Sequence, residues 1–144
     1  MRSWARYGAV MGVQRINPGE LARPSGFSHA VSATADRMVF LAGQTGVDAS
    51  GQVVDGGVVA QFERALRNLL IALDAAGGQA EDLVNVTIYV VDIDDYRARA
   101  KEIGAVWRRL AGSEYPAMAA VQVTRLWDAA AVVEIQGVAA LTGR

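Results

Sequence analysis

The chain contains no cysteine, a single histidine and only three prolines in 144 residues. Without cysteine there is no disulfide, no thiolate metal site and no cysteine nucleophile. His29 alone cannot build a histidine metal cluster, so no metal site is expected. Nor can it complete a serine triad with its neighbour: Ser28 and His29 are adjacent, and adjacent side chains on a strand point to opposite faces. Charge of one sign is also missing. The formal net charge is −1, from 14 basic and 15 acidic residues, which gives no electrostatic footprint for nucleic acid or an anionic membrane. No run reaches the ~18 apolar residues that span a bilayer. There is no P-loop, and no G-x-G-x-x-G follows a strand. The glycine-rich stretch 43–51 lacks a lysine and does not open directly into a helix, so it is not spaced for phosphate. No cofactor, nucleic-acid partner or membrane partner is expected.

What the chain has in excess is apolar surface, 52% of its residues. A domain of this size buries only about two-thirds of its surface, and a subunit interface is an economical place for the surplus. Residues 1–14 carry two arginines ahead of the apolar stretch 7–13, which is short and broken by glycine, a poor secretory signal. They are read as a loosely ordered extension, residues 15–144 as one domain, and the protein as cytoplasmic.

Alternation and turn residues predict strands at 27–34 and 38–43, joined tightly through Ala35–Arg37, and a turn at Asp48–Gly51. Helical spacing of Val58, Phe62, Ala65, Leu66, Leu69, Leu70 and Leu73 predicts a helix over 58–76, ended by Gly77–Gly78. A β-branched strand follows at 83–91. A second helix runs from Asp94 or Asp95 to Leu110, with Tyr96, Ala100, Ile103, Trp107 and Leu110 inward. Arg97, Arg99, Lys101, Arg108 and Arg109 read as its solvated face. The patterned segments run ββαβαββ, an α+β layer with helices on one sheet face and the other face bare in a single chain.

The last two strands, about 117–124 and 129–139, are joined by a short polar break and read as neighbours at the centre of the fold. The second carries one acid, Glu134. A charged carboxylate without partners costs several kcal/mol, roughly, in an apolar strand. Glu134 is therefore at a cleft, paired, or on a wet face.

The stretches GFSHAV, DRMVFLAGQTGVDASGQVV, NLLIALDAAGG, DLVNVTIYVVDIDDY, YPAMAAVQVTRL and VVEIQGVA, in that order and spacing, resemble the Rid (reactive intermediate deaminase, YjgF-like) family over about residues 15–141. The resemblance implies a chorismate-mutase-like single domain, a mixed six-stranded sheet with two helices on one face, and a homotrimer with small-molecule clefts between subunits. It implies that Glu134 is the cleft carboxylate that orients the attacking water. It places Phe27 where an aromatic residue, often tyrosine, stands at the cleft mouth, and Gly43 and Gln44 in the family's S-G-Q, here Ala42-Gly43-Gln44. Met118, followed by Ala119, takes the place of the arginine that holds a substrate carboxylate in the deaminating branch. Arg125, seven residues further, points to the opposite face of an unbulged strand and cannot stand in for it. The function implied is hydrolytic deamination of an imine, enamine or related amine, with an atypical substrate because Met118 carries no charge. A binding or regulatory module that holds a metabolite without turnover is the alternative.

Overall fold

The computed structural model describes residues 12–143. Residues 1–11, most of the expected N-terminal extension, lie outside the described residues. The described residues form strands β1 (Gly12–Ile16), β2 (Ala30–Thr34), β3 (Arg37–Thr45), β4 (Leu83–Val90), β5 (Ala117–Gln122) and β6 (Val133–Leu141), and helices α1 (Gly57–Ala75), α2 (Ile93–Ala98) and α3 (Ala100–Ala111). Gly12, Val13 and Gln14, expected in the loose extension, belong instead to β1, which pairs antiparallel with β2 from Gly12↔Thr34 to Ile16↔Ala30.

Helix α1 forms because its apolar residues recur every three or four positions, and the structure buries that stripe: Val58, Phe62, Ala65, Leu66, Leu69 and Leu73 lie in the core. Gly77, at φ 88°, lets the chain turn out of the helix. The second expected helix is two. Asp92, not Asp94 or Asp95, caps α2 by accepting the Asp95 N–H at 3.0 Å. Arg99 (φ −103°, ψ 12°) interrupts the winding before α3 begins. That break resets the helical phase. Ile103, Val106, Trp107 and Ala111 become the buried residues of α3, while Ala100 is exposed and Leu110 half-buried.

The six strands do not make one six-stranded sheet. Four form a mixed sheet in the order β3-β6-β4-β5, and β1–β2 is a separate ribbon touching β4 and β6. β2 and β3, expected as a hairpin, therefore belong to different sheets. β5 and β6, expected as neighbours, are separated by β4. β4 runs parallel to β5, a pairing that needs a long crossover, and α2–α3 supply it. β6 enters between β3 and β4, antiparallel to both. The polar break thus lies in a loop (residues 123–132) that crosses β4, and α1 holds that loop: Gln61 Nε2 donates to the Ala130 carbonyl at 3.1 Å, and the Val132 N–H donates to Gln61 Oε1 at 2.8 Å. β5, expected at the centre, is an edge strand with Ala119 to Gln122 exposed. No helix among the described residues is long and apolar enough to cross a membrane.

Alternation along β3, β4 and β6 sends Leu41, Val86, Ile88, Val90, Val133 and Ile135 under the helices. Their neighbours Phe40, Asn85, Thr87, Tyr89, Glu134 and Gln136 face the other way. That open face carries Phe40 at 79% exposure and Met38 at 50%.

Candidate functional site

Glu134 stands on the open face of β6, half-buried, opposite Thr45 of β3 and Tyr89 of β4. The register of β3 against β6 shifts between Leu41 and Gln44, which places Ala42 and Gly43 in an irregularity facing the carboxylate. Gly43 leaves room for the carboxylate there: a Cβ on it would overlap Glu134 Oε1 and displace that side chain. Gln44 is half-buried, and its Nε2 donates back to the Ala42 carbonyl at 3.4 Å. Beside them the Tyr89 hydroxyl donates to Gln136 Oε1 at 3.1 Å. Among the described residues no ion pair or hydrogen bond ends on the Glu134 carboxylate. Of the three settings open to this acid, pairing with another described residue of the same chain is removed. Its two oxygens are free to accept protons from a water or a substrate.

Met118 lies elsewhere. Parallel pairing sets it level with Val86, so it points to the helix side of the sheet, while Ala119, level with Thr87, is exposed on the open side. On the helix side Met118 lines a cavity of about 470 Å³ between β5 and α3. Trp107 and Tyr115 stack there with ring centres 6.4 Å apart and planes 27° apart. Burial pushes the Tyr96 phenol up to about 12, so it stays a neutral hydroxyl. The Trp107 Nε1 is buried with no hydrogen-bond partner among the described residues. Lys101 and Arg108 also line the cavity. The helix ion pairs engage other residues, Arg99 with Glu102 and Arg109 with Glu63, and leave these two cations unpaired among the described residues.

Phe27 belongs to this second group. The Ser28 N–H donates to the Pro116 carbonyl at 2.9 Å and the Ser28 hydroxyl to the Tyr115 carbonyl at 2.7 Å, tying the segment to the start of β5. Phe27 itself is half-buried and meets the His29 ring edge-on at 5.1 Å. The residues expected in one cleft therefore fall into two groups within a chain. Glu134, Gly43 and Gln44 sit at β3–β6. Phe27 and Met118 sit at the β5 edge, two strand spacings away, roughly 10 Å, with Met118 on the opposite face. Arg125 lies in the loop after β5, so strand parity does not govern where it points. Among the described residues no three His, Asp or Glu side chains gather to hold a metal.

Lys101, Trp107, Arg108 and Tyr96 were not legible as site residues, since they read as a solvated face and a core stripe. The available signal was the Lys101, Gly104, Arg108 spacing, which sets two cations on one helix face with a gap between them.

A family model described as endoribonuclease L-PSP matches residues 20–141. A Capra hircus protein named 2-iminobutanoate/2-iminopropanoate deaminase is 39% identical over 114 residues, covering 78% of this chain and 78% of that one. Its Homo sapiens namesake is 35% identical with the same coverage. The protein DfrA of Myxococcus xanthus is 40% identical over 114 residues, 78% of this chain and 83% of its own. Among solved structures, YyfB of Yersinia pestis, described as a Rid-family protein of unknown function, superposes with a TM-score of 0.79 at 33% identity, over 91% of this chain and all of that one (100%). The YjgF gene product of E. coli gives 0.64 at 26% identity, over 88% and 98%.

Proposed function

Because the chain belongs to the endoribonuclease L-PSP family, the Rid or YjgF family, we propose that it is a hydrolytic deaminase of small imines or enamines, with Glu134 as the group that activates water. The observation that carries this reading is the unpaired, half-buried carboxylate of Glu134 set against the bare backbone of Gly43. Relatives of this chain are named for 2-iminobutanoate and 2-iminopropanoate. In such a reaction water adds to the imine carbon as Glu134 takes one of its protons. The nitrogen takes one proton from solvent as the carbinolamine forms and then the one held by Glu134; the C–N bond breaks as the hydroxyl proton returns to Glu134, and a ketone and ammonia leave. A positioned base of this kind contributes about 10²–10⁴-fold to rate.

The two residue groups need a second chain to meet. The β5 edge of one copy, with Phe27 and Met118, approaches the β3–β6 region of the next, with Gly43, Gln44 and Glu134. The exposed Phe40 and Met38 supply apolar surface for that contact, and three copies close a ring in which each cleft takes one group from each neighbour.

The test generates a panel of imines with an amino-acid oxidase, 2-iminopropanoate and larger imino acids among them, and follows their decay. The wild type should accelerate that decay, and Glu134→Gln should lose about 100-fold or more with an unchanged melting transition. A wild type that hydrolyses no imine ends the catalytic reading. Light scattering should give about three times 15.3 kDa; a monomer at micromolar concentration removes the shared cleft.

A further inference from the structure

We propose that the cavity beneath α3 is the substrate-holding half of the site, that Lys101 and Arg108 bind the substrate's carboxylate, and that the preferred substrate is an imino acid bearing an aromatic or comparably flat apolar side chain. The proposal rests on the deaminase reading above and specifies what that enzyme takes.

Three observations carry it. The first is size. A cavity of about 470 Å³ falls in the range, roughly 300–1,000 Å³, of pockets that enclose drug-sized ligands. A three-carbon imino acid would leave most of it empty. The second is the lining. In a mixed lining, half-buried Met118 and Tyr96 offer apolar surface over the nearly buried Phe62, Ile88 and Ile103, and half-buried Tyr115, stacked on Trp107, gives an aromatic wall. A planar ring gains offset or edge-to-face contact with such a wall, and the Met118 thioether makes a favourable sulfur–ring contact where an arginine would bring an uncompensated charge.

The third observation is charge. Lys101 and Arg108 are seven residues apart, about 10.5 Å along the helix axis, and both border the cavity. Gly104 lies between them and leaves the helix surface bare. Arg108 leans over it, its Nη1 3.3 Å from where a Gly104 Cβ would stand. Two cations without carboxylate partners among the described residues, with Arg108 lying across the bare helix surface at Gly104, suit a carboxylate held at that surface. Tyr96, a neutral phenol at this pH range, adds a hydroxyl that can donate or accept. The anion therefore enters from α3, not from the β5 position that Met118 fills.

Phenylpyruvate, the stable keto counterpart of such a substrate, separates the possibilities when titrated calorimetrically into the full chain beside pyruvate, which lacks the ring, and phenylacetone, which lacks the carboxylate. We expect phenylpyruvate to bind at least tenfold more tightly than either. Lys101→Gln and Arg108→Gln, both on the exposed surface of α3, should each weaken it about tenfold with unaltered circular dichroism, and Gly104→Val should block it. With the phenylalanine-derived imine, the two cation variants should raise KM more than they lower kcat. Equal binding of pyruvate and phenylpyruvate, or wild-type affinity in Lys101→Gln and Arg108→Gln, overturns the proposal even if imines are still hydrolysed. A protein that hydrolyses no imine yet keeps this binding pattern loses the catalytic reading and retains the pocket assignment.

Discussion

The two faces of the four-stranded sheet are made by alternate residues of the same strands and share almost nothing else. Under the helices, Val86, Val90, Val133 and Ile135 are fully buried, at 0% exposure, while on the opposite face Phe40 is 79% exposed and Glu134 stands unpaired among the described residues. A side-chain period of two lets one strand serve both purposes at once. The helix face holds the chain together, and the open face is free to carry chemistry and contacts with other copies. Away from the cavity beneath α3, substitutions on the two faces should therefore separate into those that change stability and those that change activity or assembly.

The widest separation is expected between Leu66 and Phe40. Leu66→Ala empties a fully buried position and should cost about 2–5 kcal/mol in urea unfolding. Phe40→Ser should keep the helical circular dichroism while lowering the assembled mass. Equal losses of stability would erase the distinction.

Two glycines of one stretch sharpen it further. A Cβ on Gly46 would come within 2.8 Å of the Gln61 backbone, so Gly46→Ala has to push α1 away and should cost about 1–3 kcal/mol. A Cβ on Gly43 would meet only the end of the Glu134 side chain, which can swing aside. Gly43→Ala should leave the melting transition within about a degree or two, roughly under 0.5 kcal/mol, yet lower deamination at least tenfold. Gln61→Leu belongs with Gly46. It strands the Ala130 carbonyl and the Val132 N–H, and each unsatisfied group costs about 1–3 kcal/mol if it stays buried.

The smallest effect concerns the contact between α1 and α3. A hydrogen bond from Arg109 holds the Glu63 carboxyl below its ordinary value of 4.5. Its folded-state value is lowered, so the stabilisation is present above pH 4.5 and is lost as pH falls through the lowered value. The pair is partly exposed. Arg109→Gln should accordingly cost only about 0.2–1 kcal/mol at neutral pH, less in high salt, and flatten the acid limb of the stability curve.

Helix α1, the Asp48 turn and β4 were legible because each is specified within its own segment, by a 3.6-residue stripe, by an aspartate accepting from Ser50 and Gln52, and by a β-branched run. Sheet order was not legible, since β5 and β6 carry similar apolar runs and nothing local says that β4 lies between them. β1 escaped notice because it is short, begins with a glycine and adjoins the apolar stretch 7–13. The break at Arg99 involves neither glycine nor proline. Glu134 stood out as a charge in an apolar run, and family resemblance gave it a role. Which way Met118 points depends on the register of β5 against β4, and that is settled only when the sheet forms.

Gln61 has one more consequence. The Val132 amide is held by a side chain on α1, not by a neighbouring strand, and it sits two residues before the acid at the centre of the candidate site. Its exchange with deuterium should therefore follow the lifting of α1 from the sheet and not the fraying of β6. Followed residue by residue, that one amide would act as a clock for helix undocking. Gln61→Leu should start that clock early, while leaving the interior amides of β6 slow.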